Sequence, residues 1–307
     1  MHVLVTGGAG FIGSHSVDAL IGTGARVRVL DNFSSGKRDN LPAESPQLEI
    51  VAGDIRDLAT VERCTGGITH VLHLAAQVSV AASVSQPLNS ASVNVAGFLN
   101  VLEASRKAGV QRLVYASSAA VYGAPRRLPL DEAAPTAPLS PYGLEKLIND
   151  QYAELYRDLY GQSNCGLRYF NVYGPRQDPH SPYSGVISIF AQRLRAGAPI
   201  TINGDGQQTR DFIFVGDVAR ANVAALQCDT PGVVNIATGR SVTLLDLVGA
   251  LATTTAKPPQ VEHGPPRDAD IRYSAADNTR LVSDLRCCEF VPLERGLYAL
   301  MADGGSC

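Results

Sequence analysis

Tyr142 and Lys146 stand one helical turn apart at the start of an apolar-periodic stretch, so a helix there puts both on one face. A tyrosine hydroxyl with its ordinary pKa near 10 is a poor base at neutral pH. A neighbouring ammonium and the positive end of a helix both favour its phenolate. The pair suits removal of a proton from an alcohol while hydride leaves the same carbon. Ser118, in the Ser117-Ser118 pair upstream, can share or relay that proton. Taken alone, a Tyr-x-x-x-Lys spacing is common and structural in most chains, and Ser117-Ser118 alone reads equally well as a strand-to-loop turn. The elements around them decide.

A departing hydride needs an acceptor, and the stretch Thr6-Gly7-Gly8-Ala9-Gly10-Phe11-Ile12-Gly13-Ser14-His15 is suited to hold one. It follows the apolar run Val3-Leu4-Val5 and leads into a stretch whose Val17, Leu20 and Ile21 fit an amphipathic helix. Strand, glycine turn and helix in that order make a dinucleotide pyrophosphate site. Gly7 can take the tight turn, Gly10 can let the backbone approach phosphate, and Gly13 can let the helix lie close to the strand. Free N–H groups and the positive dipole end of the helix then face the anion. A second strand, Arg26-Val27-Arg28-Val29-Leu30-Asp31, ends in an acid. It stands near the position, about 20 residues past the glycines, where a carboxylate accepts a ribose 2′-hydroxyl and repels a 2′-phosphate. Asp31 therefore favours NAD over NADP, with a turn cap as its other reading. Asn32 opens a polar loop near the adenosine end.

Further strands are predicted at 48–51, 70–76 and 110–116, and helices from Asp57, over 87–108 and over 142–160. Asp54 falls at a strand's carboxyl end, where it can contact adenine or cap a turn. Ala75 and Ala76 are small enough to let a backbone lie against a cofactor. Val95, Phe98, Leu99 and Leu102 share one face of the 87–108 helix. The repeated strand-helix order implies an α/β fold with a doubly wound parallel sheet. From Arg168 onward Gly and Pro become frequent and the alternation loosens. This divides the chain into a nucleotide-binding domain at 1–170, to which it returns around 211–236, and a smaller mixed lobe at 171–307.

Of the 307 residues, 26 are Lys or Arg and 29 Asp or Glu, a net charge of -3 that speaks against a nucleic-acid partner. No apolar run approaches the roughly 20 residues of a membrane helix. The N-terminal apolar run is strand-length with no basic leader, so neither a signal peptide nor a membrane role is expected. The six cysteines show no metal-ligand spacing and suit a reduced, cytoplasmic chain. His70 and His73 would point to opposite faces of a strand, so no metal is expected there.

The blocks at 6–15, 31–32, 53–55, 73–76, 117–123, 142–146, 168–176 and 204–212 together resemble the extended short-chain dehydrogenase/reductase family, and within it the UDP-hexose 4-epimerases. The resemblance covers nearly the whole chain. It implies a Rossmann-type sheet with a mixed C-terminal substrate lobe. It implies NAD held by Gly7, Gly10, Phe11, Ile12, Gly13, Asp31, Asn32, Asp54, Ile55, Ala75 and Ala76 together with Tyr142 and Lys146. Ser118, Tyr142 and Lys146 become the catalytic residues; Ser117, Ser118, Asn171 and Arg210 become nucleotide-sugar contacts. The family's Arg-x-Gly-Asp stands here as Arg267-Asp268-Ala269-Asp270, with Ala269 at the glycine. Arg210 and Arg267 suit a diphosphate, because a guanidinium forms forked charge-assisted bonds to phosphate, and Asp270 suits the uridine ribose. Seven positions past Arg267 is Ser274. In the resembled enzymes a tyrosine there restricts the sugar pocket to UDP-glucose and UDP-galactose, and a small residue admits an N-acetyl group. Ser274 thus points to UDP-GlcNAc and UDP-GalNAc, with the unacetylated pair left open. A homodimer through the helices near 90–108 and from Tyr142 is also implied.

Three rival readings stand beside this one. A nucleotide-sugar 4,6-dehydratase places acids just after the serine or threonine, where this chain has Ala119 and Ala120, which do no acid–base work. A uronate epimerase or decarboxylase calls for an added cation, and none is identifiable. A non-catalytic NAD-sensing regulator is a different class on the same fold, and Ser118, Tyr142 and Lys146 argue against it.

Overall fold

Short aliphatic runs and longer amphipathic stretches alternate through the first half of the chain, and in the computed structural model, which describes residues 1–125, 127–178, 185–255, 259–266 and 272–303, they fold as strands and helices in turn. Strand β1 (His2–Thr6) leads to helix α1 (Phe11–Gly22), then β2 (Arg26–Asp31), β3 (Leu48–Ala52), α2 (Leu58–Thr65) and β4 (His70–His73). Next come α3 (Val80–Ser85) and one continuous helix made of α4 (Pro87–Ala91), a π-helical segment (Ser92–Gly97) and α5 (Phe98–Lys107). β5 (Arg112–Ser118), a 3-10 turn (Ala119–Tyr122), α6 (Pro141–Tyr160) and β6 (Asn164–Tyr169) follow. The remainder holds β7 (Asn171–Tyr173), α7 (Val186–Arg195), β8 (Ile200–Asn203), β9 (Thr209–Phe214), α8 (Val215–Gln227), β10 (Gly232–Ile236), β11 (Ser241–Thr243), α9 (Leu244–Ala252), β12 (Val261–Gly264), α10 (Thr279–Ser283) and α11 (Leu293–Ala302).

The central sheet has seven strands in the order β10-β6-β5-β4-β1-β2-β3, all pairs parallel. This is the doubly wound, Rossmann-type sheet the sequence implies. Helices cover both faces, so Val3, Leu4 and Val5 read as an unbroken apolar run and all are fully buried. Val3 and Val5 join the cluster with Val17, Leu20 and Val218, while Leu4 joins Leu30, Val71, Phe98 and Tyr115 on the opposite face. Strand order reverses between β1 and β4, which opens a crevice at their carboxyl ends.

The chain comes back to this sheet through α8 and β10, which pairs with β6. Between and after these elements lie a three-stranded sheet, β11-β9-β7, and a parallel pair, β12-β8, packed around Ile187, Phe190, Ile202, Leu247 and Leu297. A further apolar cluster of Val121, Tyr122, Leu130, Phe170, Ala237 and Ala276 packs under the 119–139 loop. No helix among the described residues is long and apolar enough to cross a membrane.

Three expectations need adjustment. β4 stops at His73 rather than Ala76, because the Ala75 N–H turns to the Thr6 hydroxyl (3.3 Å) instead of a backbone carbonyl. β5 runs on through Ser118, paired with Tyr169 of β6. In the 87–107 helix, Val95 and Leu99 are only half-buried, whereas Gly97, Phe98, Val101 and Leu102 face the core. The wider π turn displaces the phase that a regular helix would keep, and it brings Gly97 so close to Ile55 that a methyl group there would sit 2.6 Å from Ile55 Cδ1.

Candidate active site

The glycine loop fills the β1 side of the crevice. Gly7 has φ +70°, and a methyl group on it would lie 2.6 Å from the Ala75 nitrogen, so the loop and the segment after β4 touch through their backbones. A methyl on Gly13 would overlap the Gly7 carbonyl oxygen, which brings α1 against the loop. Gly10 is the N-cap of α1. No side chain caps that end and no acid stands in the first turn, so its N–H groups are left for an anion. Phe11 packs edge-on to His15, with centroids 6.2 Å apart, and Ile12 leans on the core. Asp31, 7% exposed, accepts the Ala9 N–H at 2.9 Å and the Phe33 N–H at 2.8 Å, so the acid at the end of β2 also braces the loop. Asn32 donates to Asp54 at 2.9 Å. Asp54 pairs with Arg56 at 2.7 Å, and the hydrogen bonds from Arg56 hold its carboxyl far below the usual range. Ala75 and Ala76 are half-buried beside the loop. The Ile55 side chain is buried in the core against Gly97 and its carbonyl accepts Asn100 Nδ2 at 2.9 Å, which leaves its backbone N–H for a cofactor. A glycine cradle, an uncapped helix end and an acid at the tip of β2 fit a dinucleotide.

α6 starts where Ser140 caps the Gly143 N–H (3.1 Å) and Pro141 takes a first-turn position that needs no donor. Gly143 lets α6 approach the 3-10 turn; a methyl there would sit 2.7 Å from the Ala120 carbonyl oxygen. This sets Tyr142 beside Ser118, at the end of β5. Lys146, 2% exposed, has its Nζ 5.9 Å from the centre of the Tyr142 ring and donates to the Ala116 carbonyl at 2.9 Å. Burial pulls Lys146 down to about 8 against the opposing pull of Asp150 and Glu145. Burial raises the Tyr142 pKa, the Ser118 hydroxyl lowers it, and the Glu145 charge raises it.

Ser118 also lines a cavity of about 320 Å³ together with Ala119, Ala120, Gly123, Pro125, Leu130, Tyr169, Phe170, Asn171, Arg210, Tyr273 and Ser274. Asn171 donates to the Asp211 carbonyl (3.1 Å) and Arg210 to the Thr209 carbonyl (2.7 Å). Asp211 is fully buried and accepts from Thr238 and Gly239, which anchors this wall. Ser274 is fixed through its backbone, its N–H on Thr209 Oγ1 (3.4 Å) and its carbonyl on the Ser241 hydroxyl (2.6 Å). Ser118, Asn171, Arg210 and Ser274, far apart in sequence, thus share one space.

Ser117 does not join them. It alternates with Ser118 along β5, is 2% exposed, and lies buried beside Asp150 without reaching hydrogen-bond geometry. Arg267 and Asp270 lie outside the described residues. His73 is buried against Phe98 and hydrogen-bonded to Thr6 (2.8 Å), and burial draws it down to about 3; His70 bonds Thr69 instead. Among the described residues no group of three His, Cys, Asp or Glu side chains is placed to hold a metal. Among the lining residues that a reading of the sequence does not single out are Tyr273, and Leu130, whose backbone pairs with Ala275 and Asp277 across a long separation.

The model of the NAD dependent epimerase/dehydratase family matches residues 3–237. The chain belongs to this family. NAD is its cofactor. Over 289 residues the chain is 42% identical to the UDP-glucose 4-epimerase of Mycolicibacterium smegmatis, covering 91% of each. Its structure is similar to a UDP-N-acetylglucosamine 4-epimerase from Methanobrevibacter ruminantium solved with UDP-N-acetylmuramic acid, with TM-score 0.93, 37% identity and coverage of 99% of this chain and 97% of that one. It is also similar to the Thermus thermophilus UDP-glucose 4-epimerase solved with NAD, at TM-score 0.91, 40% identity and full coverage of both chains.

Proposed function

We propose that this family member is an NAD-dependent UDP-sugar 4-epimerase whose preferred pair is UDP-GlcNAc and UDP-GalNAc, with UDP-glucose and UDP-galactose as further substrates. The observation that carries the reading is the double position of Ser118, beside the Tyr142 hydroxyl and in the wall shared with Asn171, Arg210 and Ser274. NAD, when bound by the glycine cradle and by Asp31, Asn32 and Asp54, supplies the acceptor and donor of the C4 hydride, so that C4 passes through a ketone and returns inverted. Tyr142 takes the 4-hydroxyl proton and gives it back. Ser118 shares that proton, and Lys146 holds positive charge behind the phenolate. Arg210, with Arg267, neutralises the diphosphate, Asn171 orients the nucleotide sugar, and Asp270 holds the ribose. The UDP end stays anchored while the keto sugar turns its other face.

Ser274 favours the acetylated pair, because a small side chain leaves room at the sugar's C2. The similarity to a UDP-N-acetylglucosamine 4-epimerase supports that pair, and the similarity to UDP-glucose 4-epimerases supports the unacetylated one. Ala119 and Ala120 line the cavity and supply no acid for water elimination. Arg210 is the one cation among the described lining residues and is committed to the diphosphate, which disfavours a uronate. In this reading 1–170 with the returning 211–236 binds NAD, and 171–307 binds the nucleotide sugar. A homodimer accounts for the apolar side chains left outside: Leu144, Tyr152, Leu155 and Leu159 along α6, and Leu88 of α4, which is 88% exposed.

Incubating the purified protein with UDP-GlcNAc, UDP-GalNAc, UDP-glucose and UDP-galactose, with no NAD added, and following each by proton NMR tests this. Interconversion of the acetylated pair at the higher kcat/KM is expected. Conversion of the unacetylated pair alone would overturn the substrate assignment, and no conversion of any would overturn the activity.

A further inference from the structure

Glu145 sits on α6 between Tyr142 and Lys146 in sequence, is 4% exposed, and has no task in the cycle above. A buried carboxylate is costly unless its oxygens are well partnered. Its hydrogen-bond partners are neutral: the Ser90 hydroxyl donates to Oε2 at 2.8 Å, and Asn94 Nδ2 donates to the same oxygen at 2.7 Å. Ser90 belongs to α4 and Asn94 to the π-helical segment, so the wide turn carries a working contact. Asn94 also grips Gln77 from both sides. Its Oδ1 accepts the Gln77 N–H, and its Nδ2 donates to the Gln77 carbonyl, each at 2.8 Å.

Gln77 follows Ala75 and Ala76 in the segment that touches Gly7. The same segment runs into α3, where the Ser83 hydroxyl accepts the backbone N–H of Tyr142 at 3.1 Å. The cofactor-side segment is therefore fastened to the catalytic helix at two points, and one of them passes through Glu145.

Glu145 acts on the titratable Tyr142 and Lys146 of its own helix α6; Asp150 on α6 and His73 on β4 also interact with Lys146, and Arg168 on β6 pairs with Asp150. The elements packed against it from the other side contribute the neutral Ser83, Ser90 and Asn94. Arg168 is engaged by Asp150 at 3.1 Å, and His73 is held neutral by burial. Lys146 is left as the cation whose charge Glu145 supports, and Glu145 also resists ionisation of Tyr142.

We infer that Glu145 is a positioning residue for the proposed epimerisation: through Ser90 and Asn94 it fixes the catalytic face of α6 against the cofactor-side segment, and its negative charge sets the pH range in which Tyr142 and Lys146 work together. The inference rests on the activity proposed above. Tyr142 works deprotonated and Lys146 protonated, and Glu145 raises the proton affinity of both. Removing its charge shifts the two limbs of the pH profile in the same, acidic direction.

Glu145→Gln keeps an oxygen for both donors and removes only the charge. With the full chain carrying its NAD, kcat is measured against pH for wild type and variant on the same UDP-hexose. Both limbs are expected about half a unit lower, so that turnover on the alkaline side falls about threefold while NAD content and KM stay near wild type. A variant profile that superimposes on the wild-type one overturns the role of the charge. Ser90→Ala, which leaves α6 untouched, carries the test if Glu145→Gln does not fold. It is expected to lower kcat about threefold with KM unchanged, and an unchanged kcat overturns the positioning role. Absence of turnover in the wild type overturns the proposed activity and this inference together, whereas wild-type turnover with superimposed profiles overturns this inference alone.

Discussion

A methyl group placed on Gly13 overlaps the carbonyl oxygen of Gly7, so the first turn of α1 and the glycine loop meet backbone to backbone. The same methyl would sit 2.8 Å from Gly8 Cα, and none of these atoms can swing aside as a side chain can. Gly13→Ala must therefore push the uncapped end of α1 away from the loop, and with it the N–H groups that receive phosphate. Purified Gly13→Ala is expected to carry at least about tenfold less NAD than wild type, read as nucleotide released on denaturation. Wild-type NAD content in a folded variant would contradict the placement of the cofactor.

Lys146 carries a pH dependence of definite sign. Burial draws it down to about 8, so its ammonium is present below that pH and lost above it. Tyr142, raised above its ordinary value, is still gaining its working phenolate in that range. Turnover is expected to level off as pH rises through about 8, where loss of the ammonium offsets further ionisation of Tyr142. A guanidinium does not lose its charge in that range, so turnover of Lys146→Arg, though slower because its shape differs, is expected to keep rising there. A break of the same midpoint in both proteins, measured as kcat against pH, would assign it to another group.

Much of the site can be read from the residues because its positions are fixed by local geometry. The Gly7, Gly10 and Gly13 spacing answers to one turn, and Tyr142 and Lys146 to one helical repeat. What escaped depends on contacts between distant segments. Ser117 and Ser118 look interchangeable as a pair, and only the pleat of β5 sends one to the cavity and the other toward Asp150. Ile55 follows Asp54 at a strand end, yet Gly97 draws its side chain inward, and that approach exists because the 87–107 helix widens into a π turn no propensity forecasts. Leu130 sits in a proline-rich loop without periodicity and reaches the cavity by pairing with Ala275 and Asp277.

Ser274 offers the sharpest substitution for substrate choice. Its backbone is held on both sides by Thr209 and Ser241, so a larger side chain there has to enter the cavity. Ser274→Tyr is expected to reduce kcat/KM for UDP-GlcNAc by about a hundredfold while changing UDP-glucose by less than about fivefold. Equal losses on both sugars would show that the residue does not face C2.

Arg168 and Asp150, side chains 6% and 7% exposed, form an ion pair behind the catalytic helix. Burial raises Asp150, and Arg168 opposes that rise. Tyr115 and Tyr122 complete the network, the first donating to Asp150 at 3.1 Å and the second accepting from Arg168 at 2.9 Å. Arg168→Leu strands a buried carboxylate and is expected to cost about 3–5 kcal/mol of stability in a urea titration. A loss under about 1 kcal/mol would mean that the pair is not buried in solution.

The central claim is that hydride leaves C4 of the sugar nucleotide and comes back to the same carbon without leaving the protein. It is tested most directly with UDP-hexose deuterated at C4, incubated in ordinary water with no added NAD and analysed by mass spectrometry and NMR. The epimer is expected to keep its deuterium at C4, and unlabelled substrate in heavy water is expected to gain none there. Exchange of the C4 hydrogen with solvent would contradict the claim, because it would show that the carbon is inverted by deprotonation and not by transient oxidation.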